Sequence, residues 1–231
     1  MRCVASFVRA VGFVVCGVGA EAAMVGTATA DTVTLVAAAD NTMYQGSNTR
    51  SNGVGSHFFV GRTDENRLRR GLLRFDLSSI PAGSTITNVS LRLWMSRTRG
   101  PATNVTLHQV LAAWGEGASN ASDEEGEGAA AQSGDATWSH RLYNSTPWLT
   151  QGGEFTATAS ATASVGGEAF YTWSSPGMTA NVEAWLNAPA SNFGWLLRGN
   201  ESSDQTAKRF DTRENTTAAN RPTLVVTFDP P

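Results

Sequence analysis

Glu65-Asn66-Arg67-Leu68-Arg69-Arg70-Gly71-Leu72-Leu73-Arg74-Phe75-Asp76-Leu77 decides the fold. From Leu73 onward it alternates, with Leu73, Phe75 and Leu77 on one side and Arg74 and Asp76 on the other. A period of two marks a strand with one buried and one wet face. Thr87 to Ser96 repeats the pattern, setting Val89, Leu91, Leu93 and Met95 against Asn88, Ser90, Arg92 and Trp94. Ser56 to Arg62 and Val105 to Leu111 read the same way, with Phe58 and Val60 sharing one face. Further strands are expected over Thr32–Ala38, Asp40–Tyr44, Phe155–Thr162, Glu168–Trp173, Gly194–Arg198, Ala207–Glu214 and Thr223–Phe228. Short strands separated by turn residues predict an all-β, antiparallel β-sandwich of jelly-roll type. One short helix is expected after Ser175, a good cap, and Pro176, which suits the first helical position. Its apolar residues Met178, Val182, Trp185 and Leu186 form one stripe, and Pro189 ends it.

Residues 1–30 stand apart. Arg2, an apolar run over Ala10–Ala20 and Ala28-Thr29-Ala30 form the pattern of a secretory signal cleaved before Asp31, with cleavage after Ala22 or Ala23 as the alternative. The run is too short to span a bilayer, which takes about 20 residues. The expected domain is therefore 31–231, secreted and not inserted in a membrane. Both cysteines, Cys3 and Cys16, fall in the signal, so the mature chain has no disulfide or thiolate ligand. Removing residues 1–30 takes away Arg2, Arg9 and Glu21 and leaves a net charge of −4. That balance excludes a nucleic-acid binder. Gly115 to Asp135 is rich in Gly, Ala, Ser and acids and has no large apolar residue. It reads as a mobile acidic loop. It lacks the alternating Asp/Asn pattern of a calcium loop. Trp138 and Trp148 are expected to cover one end of the strands.

Several runs keep the order and spacing of a known family. They are Asn66-Arg67-Leu68-Arg69, Leu73-Arg74-Phe75-Asp76-Leu77, Ile80 to Ile86 before Leu91-Arg92-Leu93-Trp94, and Trp114-Gly115-Glu116-Gly117. Val182 to Trp185, Asn192 to Leu197, Phe210 to Glu214 and Arg221 to Leu224 complete them. Together they resemble DNRLRE-domain proteins, which are related to carbohydrate-binding module family 96. The resemblance implies a secreted, non-catalytic jelly-roll domain that binds an anionic polysaccharide. The chain departs from the family in its long acidic insert, Ser119 to Gly134, and in having a single lysine, Lys208.

No nucleophile elbow or His-Glu-x-x-His zinc helix is present. The expectation is a binding module with no catalytic residue, cofactor or metal. A structural or adhesive extracellular domain is the alternative, with a lyase or glycosidase behind it. Clustered arginines and aromatics on one sheet face would mark a binder; scattered ones would mark a structural domain. The candidate ligand residues are Arg74 and Arg92, outward on consecutive strands, with His108 extending the row if three strands pair in sequence order. Arg209 and Arg213 join them, with Lys208 beside them. Paired guanidinium groups hold a uronate or sulfate by parallel hydrogen bonds. The competing view is that each arginine only satisfies a neighbouring carboxylate. Loops around Tyr44, Tyr143 and Trp148 are the alternative site.

Overall fold

A computed structural model describes residues 29–231. The expected signal lies outside these residues except for its last two. The strands are β1 (Asp31–Tyr44), β2 (Arg50–Ser51), β3 (His57–Arg62), β4 (Leu68–Phe75), β5 (Thr85–Thr98), β6 (Thr103–Gln109) and β7 (Ala129–Ala130). Then come β8 (His140–Leu142), β9 (Thr146–Pro147), β10 (Ala161–Val165), β11 (Ala169–Ser174), β12 (Trp195–Arg198), β13 (Lys208–Asp211) and β14 (Thr223–Asp229). Among the described residues the one α-helix, α1 (Pro176–Asn187), lies between β11 and β12.

The all-β antiparallel fold with one short helix agrees with the sequence. Where the sequence predicts a sandwich, hydrogen bonding closes a ring of six strands in the order β1-β14-β5-β13-β3-β4 and back to β1. β1 makes the closure. Asp31–Val36 pairs with β14, and Ala37–Tyr44 pairs with β4 after a register shift between Ala37 and Ala39. The two short strands expected here are therefore one bent strand. β12, β6 and β10 extend the sheet from β4, and β11 lies along β5.

The main core fills the ring. Leu73 and Phe75 of β4 meet Phe58, Leu91, Leu93, Trp173, Trp195, Phe210 and Leu224 there. Gly71 shares this inner face because a Cβ would come within 2.6 Å of the Phe58 ring. Ser175 Oγ accepts from Met178 N at 3.2 Å, and Met178, Val182, Trp185 and Leu186 pack inward as their spacing predicts.

The outer face of β4 is not wet. The excursion between β6 and β10 covers it with a second cluster: Ala39, Met43, Leu72, Val110, Trp114, Ala136, Trp138, Trp148 and Leu196. Arg70 lies beneath this cover. It makes paired bonds of 2.7 and 3.0 Å to Glu201 and sits over the rings of Trp138 and Phe155. Trp138 and Trp148 are buried, as expected.

The expected mobile loop, 115–135, is pinned instead. Ser119 and Asp135 are fully buried, and Glu125 nearly so. Asp135 accepts from Ala118 N at 2.8 Å and from Gln132 N at 2.7 Å. Glu125 accepts from Asn52 Nδ2, Ser56 N and His57 N at 2.8–3.0 Å. Tyr44 donates to the Glu125 carbonyl at 2.9 Å. Composition alone misleads because buried carboxylates, not apolar side chains, order this segment. Each takes amide donors that would otherwise stay hydrated. Asp135→Ala is expected to lower unfolding free energy by about 2–3 kcal/mol by orphaning those amides. Urea unfolding measures this, and faster exchange at Ala118 and Gln132 should accompany it; unchanged stability would mean the segment is not held by Asp135.

Candidate functional site

Alternation along β5 and its neighbours places one set of polar and aromatic side chains outward. Four strands lie side by side in the order β3, β13, β5, β11. Across them, Phe59 is in register with Arg209, and Arg209 with Arg97. One further outward position along β5 brings Trp94, in register with Phe170 of β11. Trp94 and Phe170 meet edge to face with ring centres 4.8 Å apart, and the Arg92 guanidinium lies 3.3 Å from the Phe170 ring centre. The result is one row on one face: Phe59, Arg209, Arg97, Trp94, Phe170 and Arg92.

The β3 end of the row borders a cleft of about 230 Å³. Arg69, Arg99 and Lys208 line it with Arg97 and Arg209, interspersed with Asp64, Glu65, Glu124 and Glu127. Lys208 has no exposed surface. Its ammonium donates to Thr98 Oγ1 at 2.5 Å and to the carbonyls of Gly100 and Pro101 at 3.2 and 2.8 Å. Burial lowers its pKa. Lys208 is thus a neighbour of the cleft and not a free cation on its surface.

The six residues expected from sequence separate. Arg209 and Arg92 lie in the row. Arg74 does not: β4 and β5 are not paired, so the two arginines expected to be cross-strand neighbours belong to different sheet regions. Arg74 faces Trp114, 5.6 Å from its ring centre. His108 is buried, because β6 pairs with β10 and β12 and not with β5. Its Nδ1 lies 2.8 Å from the Thr156 carbonyl, its Nε2 lies 2.9 Å from Thr106 Oγ1, and burial lowers its pKa. Arg213 lies past the end of β13 and is held by the carboxylates of Glu116 and Glu214. Of the alternative loop site, Tyr44 and Trp148 are buried.

Sequence reasoning missed Phe59 and Arg97. Phe59 was legible as the outward neighbour of Phe58. Arg97 was not, because strict alternation sends it inward with Met95. A register shift against β13 pairs Arg97 with Arg209 and Met95 with Phe210, leaving Ser96 as the extra residue. That bulge turns Arg97 out.

Residues 31–137 match the family model of carbohydrate-binding module family 96. The chain is related to carbohydrate-binding module family 96. Such modules are non-catalytic binding domains, which fits the expectation of no enzyme. The stretch similar to family 96 supplies Phe59, Arg92, Trp94 and Arg97, while Phe170 and Arg209 come from outside it. No curated protein is matched by the sequence. Among the described residues, no helix is long and apolar enough to cross a membrane.

A second charged group joins the family-96 stretch to the C-terminal strands. Asp40, Glu116 and Glu214 each bring a carboxylate oxygen within 4.8 Å of the others, a donor set that could hold a hard cation. Arg213 already serves as their counter-charge. Its Nε donates to Glu116 Oε1 at 2.7 Å and its Nη2 to Glu116 Oε2 at 2.8 Å, and the same Nε lies 2.8 Å from Glu214 Oε1 as an ion pair. Its backbone N–H donates to Asp40 Oδ2 at 2.9 Å. Asp40 Oδ1 and Glu214 Oε2 are buried without a partner. One guanidinium cannot neutralise three carboxylates. Burial pushes the Asp40 carboxyl well above its ordinary value. Burial, with Glu116 adding to it, pushes Glu214 up to about 7.

For an acid whose pKa rises on folding, stability is greatest below the unfolded value and is lost as pH rises through the folded one. Stability should therefore fall between the ordinary value of 4.5 and about 7. The expected size is about 1–3 kcal/mol. Urea unfolding across that range should show the slope, and Glu214→Gln should flatten it; an equal slope in the variant would locate the titration elsewhere.

Proposed function

We propose that this protein is an exported carbohydrate-binding module that takes an acidic polysaccharide on the Phe59–Arg92 row. The observation that carries this reading is the clustering itself: three arginines and three aromatic rings on one face of four neighbouring strands, with Phe59, Arg209 and Arg97 in one register, Trp94 and Phe170 in another, and Arg92 over the Phe170 ring. Flat aromatic faces suit the C–H faces of sugar rings, and guanidinium groups suit carboxylates or sulfates. The relation to family 96 supports the carbohydrate, and the arginines support its acidic character. A structural or adhesive domain would scatter these residues, so the row favours binding over that alternative. Export is read from residues 1–30, and mass spectrometry of the secreted protein should find its N-terminus near Asp31. An intact Met1 would remove that part of the reading.

Binding is tested by calorimetry against a polyuronate, a sulfated glucan and a neutral glucan. The double variant Arg92→Ala, Arg209→Ala should weaken the anionic polymer by at least about 1.5–3 kcal/mol, the range for lost charge-assisted bonds. Trp94→Ala should weaken every glycan that binds, because stacking does not depend on charge. Retention of no glycan by the wild-type protein would favour the structural alternative. Unchanged affinity in a folded double variant would move the site off the row.

A further inference from the structure

Arg97 and Arg209 converge on one carboxylate. Arg209 Nη1 donates to Glu124 Oε2 at 2.8 Å, and Arg97 Nη1 meets the same oxygen. Arg209 is aimed by its own anchor, with Nε donating to Ser96 Oγ at 3.1 Å. Glu124 is presented from a fixed base. The next residue, Glu125, is buried and bonded to Asn52, Ser56 and His57. Both neighbours of Glu124 have left-handed backbones, Asp123 at φ 56° and Glu125 at φ 60°. The carboxylate itself remains in solvent, its side chain 68% exposed. A hydrogen bond from Arg97 holds its pKa below the usual range, so it is charged at neutral pH.

A carboxylate on two register-paired guanidinium groups, beside an outward Phe59, has the chemistry of a uronic acid's charged group. We propose that Arg97 and Arg209 form the anion subsite of the cleft, taking the carboxylate of a uronic acid or the ester of a sulfated sugar, and that Glu124 is its internal occupant, displaced when the glycan binds. This rests on the reading of the row as a glycan site. The acidic insert then sets the affinity threshold. A tethered carboxylate competes at high effective concentration, so isolated anions are excluded while a polymer that also stacks along the row can replace it. An occupant present about nine-tenths of the time weakens the apparent affinity about tenfold.

The test uses the full mature chain and the same three polymers. Glu124→Gln keeps the size of the side chain and removes its charge. It should bind the polyuronate or the sulfated glucan roughly three- to tenfold tighter, with neutral-glucan affinity unchanged; whichever anionic polymer gains identifies the group the subsite takes. Asp123→Asn is the control, since it makes the same charge change on the same insert, one residue away, at an exposed side chain that does not line the cleft. An equal gain in Asp123→Asn would assign the effect to the general field and overturn the subsite. Wild-type binding with unchanged or weaker affinity in Glu124→Gln would also overturn it, leaving the row intact as a glycan site. No binding of any polymer by wild type or variant would remove both.

Discussion

The excursion between β6 and β10 is held by β4 being covered on both faces. The strand's inner side gives Leu73 and Phe75 to the main core, and its outer side gives Leu72 to the second cluster. Covering the outer side also buries Arg70, whose charge needs a partner. Glu201 supplies it with two bonds, and the Gly152 carbonyl takes a third at 2.7 Å. Burial alone would raise the Glu201 pKa, but bonds from Arg70 and Arg198 hold it down. Breaking such a pair costs about 3–5 kcal/mol because one charge is left buried and alone. The long excursion between β6 and β10 is thus bound to the sheet by shape and by charge.

The same logic orders the acidic insert. Its ordering rests on carboxylates that accept backbone amides, Asp135 within the insert and Glu125 across it to β3. Asn41 extends this polar frame. Its amide donates to Ser51 Oγ and to the Glu116 carbonyl, both at 2.8 Å. Polar burial of this kind demands particular backbone positions, since a buried donor left unmatched costs more than a matched one gains. The insert therefore holds a defined course past the cleft, and a residue on its exposed side keeps a defined place.

The alternating strands, the helix with its cap and the inward stripe were legible because period and capping are local. So were the outward directions of Arg92, Trp94 and Arg209. Three things were not. The pairing partner of each strand is a non-local choice, and it separated Arg74 from Arg92. The cover over β4 comes from a segment up to 80 positions away, so Arg74 and His108 looked exposed from their own strands. The Ser96 bulge breaks the period by one residue, and every side chain beyond it changes face. A reading by strict alternation therefore loses Arg97, the residue that completes the row. The insert was misread for a different reason. Its low apolar content was real, but a carboxylate that ends up bonded to buried amides looks in sequence like one that stays in water.

Closure of the ring also constrains how a ligand can be read. Backbone groups along the six ring strands are engaged with their ring neighbours. A partner adding as an extra strand would need a free edge, and the ring removes that edge along most of its course. Recognition at this surface falls to side chains, and on the face of β3, β13, β5 and β11 those side chains are arginines and aromatic rings. Arginine is suited to this position because its fork donates in two directions at once. Arg209 uses one nitrogen to fix itself on Ser96 and keeps another for an anion. A lysine at the same place would offer a point charge without that anchoring. The chain's single lysine is instead buried on neutral oxygens, and the cations this face turns outward are guanidinium groups held by the sheet.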